Sequence, residues 1–313
     1  MLQEQIINFL KKSGEYISGE EISQALKISR AGIWKHMQEL RNDGYEIVAV
    51  PHLGYRLLSS PDKLLSREIK FALGTHVLGK KIFFHEAIPS TMDEAFTLGV
   101  QGAEEGTLVC AESQAKGRGR MGRSWVSPKG KGIYMSVILR PQLHPNEVSK
   151  LTLLTAVAVA EAIYKITGLK VAIKWPNDIL IGTKKLGGIL TELSAEIDQV
   201  KFVVVGVGLN VNTTASHLPP EATSLKLETG RNFARVEMLK EILRMLERWY
   251  IRIPHHGFDA VLKKWREFSV TLGRRVRIAD SAGSVEGEAL DLAEDGGLLI
   301  RKDSGIVIKK NVR

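Results

Sequence analysis

One cysteine, Cys110, occurs in 313 residues, so no disulfide framework can form, and a lone thiol suits a reducing cytoplasm. No apolar run is long enough to span a membrane; the longest lies in "LTLLTAVAVAEAIY". The N-terminus, "MLQEQIINFLKKSGEY", carries acids and no cleavable apolar core, so no signal peptide is expected. His85, His217, His255 and His256 show no ligand spacing, so no structural metal site is expected. There is no G-x-S-x-G and no cysteine–histidine pair, which leaves a protein nucleophile without support.

What is present fits a globular protein of two or three domains. Hydrophobic residues make up 44% and charged residues 25% of the chain. The net charge is +9, and its placement matters. Residues 1–58 hold seven Lys/Arg against seven Asp/Glu, and residues 269–313 hold eight against seven. The excess therefore sits in the middle of the chain, and so does the expected anionic partner.

The densest cationic stretch is "QAKGRGRMGRSWVSPKGKG", residues 114–132, with six Lys/Arg, five glycines and no acid. Gly117-Arg-Gly-Arg-Met-Gly122 fits G-x-G-x-x-G, but a dinucleotide-binding turn needs a helix directly after it. Here "RSWVSPKGKG" follows, and Pro128, Gly130 and Gly132 will not make a helix. No G-K-[ST] closes the run either, which excludes a P-loop. The arginines themselves must bind: each offers a permanently charged fork for carboxylate or phosphate. Glycine keeps such a backbone mobile. The expectation is a flexible cationic lid, disordered when empty and ordered over an anion; the competing reading is a solvated basic loop.

Residues 1–60 predict a winged helix-turn-helix. Ile6, Ile7, Phe9 and Leu10 fall on one side of a first helix. Ser18 opens a second, with Ile22, Ala25 and Leu26 inward. A third starts at Ser29 and stops at Gly44, with Ile33, Met37 and Leu40 on its buried face. Ala31, Lys35, Gln38 and Asn42 lie opposite, flanked by Arg30, Trp34 and Arg41. "YEIVAV" and "YRLL" pair as a hairpin wing. Ser29, Arg30, Ala31, Trp34, Lys35, Gln38 and Arg41 are the candidate DNA-binding residues. The balanced charge of this segment argues for caution, because phosphate contacts dominate DNA affinity. A winged helix used only for protein contacts is the alternative. Residues 61–74 predict a linker helix.

Residues 75–268 mix strands and helices. "STMDEAFTLGVQG" is a helix capped by Ser90 or Thr91, and "GTLVCAES" and "GIYMSVILRP" are strands on either side of the lid. A nearly all-apolar helix ends at Gly168 and predicts burial against a sheet. "KVAIKWPNDILIG", "KKLGGILTEL" and "VKFVVVGVGLNVN" predict three strands, the last with Gly206 and Gly208 where a ligand could come close. In "KWPND", Lys174 ends a strand and can be aimed, while Asn177 and Asp178 are turn formers. Lys184 and Lys185 are expected in a turn facing solvent. Residues 269–313 predict short strands in a small SH3-like β-barrel that docks or covers.

The order winged helix, "STMDEA", "GRGRMGRSWVSP", "KWPND", "KLGGIL", "GVGLNVN" and small barrel resembles the bifunctional biotin protein ligases that also repress the biotin operon. The resemblance spans the whole chain. Single-function members lack residues corresponding to 1–65, which are present here. It implies an α+β fold whose central mixed-sheet domain is class II synthetase-like. It also implies a two-step activity. Biotin and MgATP give biotinyl-5′-AMP and pyrophosphate, and the acyl group then passes to a lysine of a biotin carboxyl carrier protein. Further implications are operator DNA as a partner, biotinyl-5′-AMP as corepressor and a homodimer when it is bound.

By motif, the resemblance places Ser90, Thr91, Met92, Gln114, Gly117, Arg118, Gly119, Arg120, Lys174 and Gly206 at biotin. It places Arg120, Arg123, Trp125, Lys174, Asn177 and Asn210 at ATP or the adenylate, with Arg118, Arg120 and Lys174 catalytic. Met92 stands where the family commonly has asparagine, and Met121 is given no role. Two rivals stay open: a lipoate-type ligase, and a ligand-sensing repressor with inactive chemistry.

Overall fold

The computed structural model describes residues 2–280 and 283–311. Two compact units appear, one up to Phe71 and one from Ala72 onward.

The first unit contains α1 (Leu2–Ser13), α2 (Gly19–Leu26), α3 (Arg30–Asn42), the hairpin β1 (Glu46–Val50) and β2 (Gly54–Ser59), and α4 (Ser66–Lys70). Ile6, Ile7, Leu10, Ile22, Ile33, Met37 and Leu40 are at most 1% exposed and form its core. Their spacing of three and four places each helix's set on one stripe. Ser18 accepts from the Glu21 amide at 3.0 Å and Ser29 from the Gly32 amide at 3.1 Å, so both hydroxyls cap helix starts. Ala25 is exposed rather than inward, because the α2 stripe runs from Ile22 to Leu26 and leaves Ala25 beside it.

The short helix α4, expected within a linker, is fastened into this unit by a buried polar network. Glu68, 4% exposed, accepts from Lys11 Nζ and from Tyr45 Oη, each at 2.6 Å. Arg67 donates to Gln3 at 3.1 Å and pairs with Asp43. Removing one partner of such a buried pair strands the other charge, at a cost of about 3–5 kcal/mol.

The second unit runs β3 (Ile82–His85), α5 (Thr91–Val100), β4 (Leu108–Ala111), β5 (Gly132–Leu139), α6 (Ser149–Thr167), β6 (Ala172–Lys174), β7 (Asp178–Ile181), β8 (Lys184–Glu196), β9 (Gln199–Asn210), α7 (Leu225–Thr229), α8 (Arg235–Tyr250), α9 (Ile253–His256) and α10 (Asp259–Phe268). Then come β10 (Arg275–Asp280), β11 (Gly283–Leu292), β12 (Leu298–Arg301) and β13 (Val307–Lys310).

Its main sheet has seven strands in the order β3-β4-β5-β9-β8-β7-β6. Only β3 and β4 are parallel, so the sheet is mixed. The expected first strand of the Lys174 region is two strands, because the cis peptide Trp175–Pro176 turns the chain between β6 and β7. Every residue of α6 from Lys150 to Ala160 is buried, as its apolar composition requires, and α6 packs on α8 and α10. Gly168 ends it in a left-handed conformation at φ 74°.

The small C-terminal sheet is a four-stranded antiparallel meander in the order β10-β11-β12-β13. Ser281, Ala282, Val312 and Arg313, which belong to the expected barrel segment, lie outside the described residues. The meander meets the seven-stranded sheet at Trp175, whose indole donates to the Gly296 carbonyl at 3.2 Å. No described helix is long and apolar enough to cross a membrane.

Candidate active site

A cleft of about 510 Å³ opens on the sheet, between residues 118–126, the β6–β7 turn and β8 and β9. Residues 114–132 form one wall and connect β4 to β5, with no α-helix after the glycines. This excludes the dinucleotide-binding reading in three dimensions.

The expected lid, residues 114–132, contains a folded hairpin over residues 117–125. Gly119 N–H donates to the Arg123 carbonyl at 2.7 Å and Trp125 N–H to the Gly117 carbonyl at 2.8 Å. A short 3-10 turn, Arg120–Gly122, forms the tip, with Met121 exposed and left-handed at φ 56°. Glycine serves close approach here: a Cβ on Gly117 would stand 2.4 Å from the Trp125 carbonyl oxygen. Counter-charges absent from the stretch arrive from elsewhere. Arg118 pairs with Asp93 at 2.6 Å and Glu192 at 2.5 Å, and Lys129 with Glu86 at 3.0 Å. Burial lowers the Arg118 guanidinium, but Asp93 and Glu192 more than offset this and its pKa is raised. Arg120 is half-buried and donates to Asn177 Oδ1 at 3.2 Å. Burial pulls its pKa down and Arg123 adds to this, while Asp178 opposes. An arginine so perturbed remains charged at neutral pH.

Of the residues assigned from sequence, Thr91, Met92, Gln114, Arg118, Gly119 and Arg120 line the cleft, as do Arg123, Trp125, Lys174, Asn177, Gly206 and Asn210. Ser90 and Gly117 do not. Ser90 is 1% exposed and caps α5, accepting from the Asp93 amide at 3.4 Å. Gly117 is buried within the lid, against Trp125 and Ser127.

Gly206 and Gly208 admit side chains of this chain itself. An added Cβ would meet Met92 Sδ at 2.4 Å on Gly206 and the Trp125 indole at 2.6 Å on Gly208. Met92 belongs to a buried cluster with Ala95, Val109, Ile138, Phe202 and Val204, which explains a thioether there.

Lys185 is a correction to the sequence reading. It stands in β8 opposite Leu180, not in a solvent turn. The β7–β8 connection is tighter than the run of polar residues suggests. Lys185 pairs with Asp178 at 2.6 Å, and its Nζ lies 5.6 Å from the Trp125 ring centroid. Its neighbours in "KKLGG" gave no sign of this, because the partner Trp125 is 60 residues away. Arg118, Arg120, Arg123, Lys174 and Lys185 thus face one cleft from three segments of the chain. Two buried polar atoms of its lining residues, Trp125 Nε1 and Asn210 Oδ1, have no hydrogen-bond partner among the described residues. Left so, such groups are costly. No cluster of three or more metal-ligating side chains occurs among the described residues.

On the first unit, Arg30, Ala31, Trp34 and Lys35 are exposed on α3, and Gln38 is half-buried. Arg41 donates through Nε and Nη2 to the Ile47 carbonyl, at 2.9 and 2.8 Å, and so ties α3 to the wing.

Comparison with known proteins decides the family. Over 310 residues the chain is 42% identical to the bifunctional ligase/repressor BirA of Bacillus subtilis, covering 97% of this chain and 95% of that protein. The chain belongs to the bifunctional biotin ligase/repressor family. Family models agree: an HTH domain matches residues 2–56, the biotin/lipoate A/B protein ligase family residues 84–210, and the biotin protein ligase C-terminal domain residues 271–310. The biotin–[acetyl-CoA-carboxylase] ligase of Paracoccus denitrificans is 33% identical to this ligase, over 69% of this chain and 92% of that protein. The solved biotin protein ligase of Aquifex aeolicus in complex with biotin and ATP superposes with a TM-score of 0.65 at 30% identity, covering 74% of this chain and 96% of that one. In this ligase the 84–210 match carries the lid, Lys174, Lys185 and Asn210, so most of the cleft lies within the family's ligase segment, and Leu218, Pro219, Glu221 and Ala222 complete it.

Proposed function

We propose that this protein is an ATP-dependent biotin protein ligase and a repressor controlled by its own intermediate. The observation that carries the ligase reading is the convergence of five cations from three segments of the chain on one cleft. No protein nucleophile is required. The carboxylate of biotin attacks the α-phosphorus of ATP, pyrophosphate leaves, and the mixed anhydride then gives its acyl group to a lysine amine of the carrier, releasing AMP. Two anions must be brought together, and fixed cations do that and stabilise the charge that grows on the phosphate oxygens.

In this reading Thr91, Met92, Gln114, Gly206 and the lid residues Gly117, Arg118 and Gly119 form the biotin end, with Ser90 fixing the start of α5. Lys174 and Lys185 face the carboxyl and phosphate oxygens. Arg120, Arg123, Trp125, Asn177 and Asn210 form the adenylate end. Magnesium enters with ATP as part of the substrate. The partner is a biotin carboxyl carrier protein, the compartment the cytoplasm, and the division of labour runs 1–60 for DNA, 61–74 for connection, 75–268 for chemistry and 269–313 for cover.

For repression, Arg30, Ala31, Trp34, Lys35 and Gln38 present a cationic, amide-bearing surface on α3 that suits a major groove, with Ser29 and Arg41 fixing the helix. Bound biotinyl-5′-AMP favours a homodimer that offers two such helices to a palindromic operator. Two measurements test the whole. Pyrophosphate release with ATP and biotin, against ATP and lipoate, checks the ligase. Operator binding with biotin plus ATP, against either alone, checks the coupling; equal operator affinity in all three conditions refutes it.

A further inference from the structure

We infer that Ser127 is a positioning residue for the biotin end of the cleft, acting through Gln114. The inference rests on the reading that Gln114 faces biotin. Ser127 is 8% exposed and does not line the cleft. It closes a hydrogen-bond chain that starts at the cleft floor. Fully buried Ser136 donates to Thr91 Oγ1 at 2.9 Å. Thr91 donates to Gln114 Oε1 through its backbone N–H at 2.8 Å and its hydroxyl at 3.1 Å. Gln114 Nε2 donates to Ser127 Oγ at 3.0 Å, and Ser127 Oγ donates to the Trp125 carbonyl at 3.2 Å.

The direction of this chain is fixed by chemistry. The Thr91 amide can only donate, so the Gln114 oxygen must face it and the Gln114 nitrogen must face Ser127. Ser127 must then accept, and its own proton goes to the Trp125 carbonyl. Gln114 Nε2 gives one of its two N–H groups to Ser127, so the carboxamide keeps the other for an acceptor on the ligand. Thr91 anchors the oxygen of the planar carboxamide and Ser127 its nitrogen, so Ser127 is the second of two anchors that set where the remaining N–H points. Gly117 presses on the same joint: a Cβ there would come within 2.9 Å of Ser127 Oγ and 3.1 Å of Gln114 Nε2. Ser127 therefore links the glutamine at the biotin end to the backbone of the tryptophan at the adenylate end.

The test uses the full chain and biotin itself. Biotin and ATP dissociation constants are measured calorimetrically for Ser127→Ala, Gln114→Ala and the double variant, with melting temperatures alongside. One hydrogen bond is worth about three- to tenfold in affinity. Ser127→Ala is expected to weaken biotin binding by that factor, Gln114→Ala by at least as much, and the double variant by no more than Gln114→Ala alone. Should Ser127→Ala not fold, Ser127→Cys, with a poorer hydrogen-bonding atom of similar shape, is read the same way. Multiplying effects, or unchanged biotin affinity in the Ser127 variant beside a weakened Gln114 variant, overturn the inference alone. Unchanged biotin affinity in Gln114→Ala overturns the assignment of Gln114 to biotin and the inference with it.

Discussion

The indole of Trp125 lies against the bare Cα of Gly208, where an added methyl would stand 2.6 Å from the ring. The lid thus meets the sheet through a contact only glycine allows. In Gly208→Ala the ring must move, at about 1–3 kcal/mol for such overpacking. If Trp125 covers the adenylate, the KM for ATP rises about five- to 150-fold, while biotin affinity changes less. Pyrophosphate-release kinetics with each substrate varied check this. In Gly206→Ala the added methyl meets Met92 Sδ at 2.4 Å within the buried cluster, so Met92 must shift as well.

Lys174 and Lys185 reach the same cleft from two strands, β6 and β8. Each, changed to alanine, is expected to slow adenylate formation by ~10²–10³, the loss typical of one preorganised electrostatic contact. Biotin affinity falls much less in both. Single-turnover pyrophosphate release distinguishes them, and near-normal turnover in either variant removes that lysine from the chemistry.

Arg120 is held half-buried beside Asn177. Arg120→Gly removes one charge-assisted contact to the intermediate, about 1.5–3 kcal/mol, or roughly 10- to 100-fold in retention. The variant is expected to make biotinyl-5′-AMP and release it early, labelling lysines of an unrelated protein present in the mixture. A biotin blot of that bystander is the measurement; a bystander no more labelled than with the parent enzyme shows that Arg120 does not retain the intermediate.

The boundary between the two units falls after Phe71, and Glu68 belongs with Lys11 and Tyr45 of the first. A chain beginning at Ala72 is expected to biotinylate the carrier and to lose operator binding. Carrier labelling and a gel-shift with operator DNA test both halves. Retained sequence-specific binding defeats the assignment of DNA recognition to α3.

Burial, and after it the nearby charge of Glu112, push the Cys110 thiol well above its ordinary range. A raised thiol pKa leaves little thiolate at pH 8, and thiolate is the reactive form. Iodoacetamide at that pH is expected to leave the native protein unlabelled and to label it once it is unfolded. Mass spectrometry of the two samples decides it.

Local pattern determined much of this protein. The apolar stripes of α1 and α3, the serine caps at 18 and 29, the buried helix ending at Gly168 and the cationic stretch between two strands were all legible, because period, capping and charge density are properties of neighbouring residues. The family order of motifs was legible for the same reason. What only the tertiary structure decided depends on residues far apart in sequence. Lys185 looked solvated until the sheet brought Trp125 and Asp178 to it. Arg118 looked unpaired until α5 and β8 supplied Asp93 and Glu192. Gly206 and Gly208 looked like openings for a ligand, yet Met92 and Trp125 fill them. A sequence shows which groups a chain owns, but pairing, exclusion and aim are set by the sheet register and the return of the lid, and those are fixed only when the whole core packs.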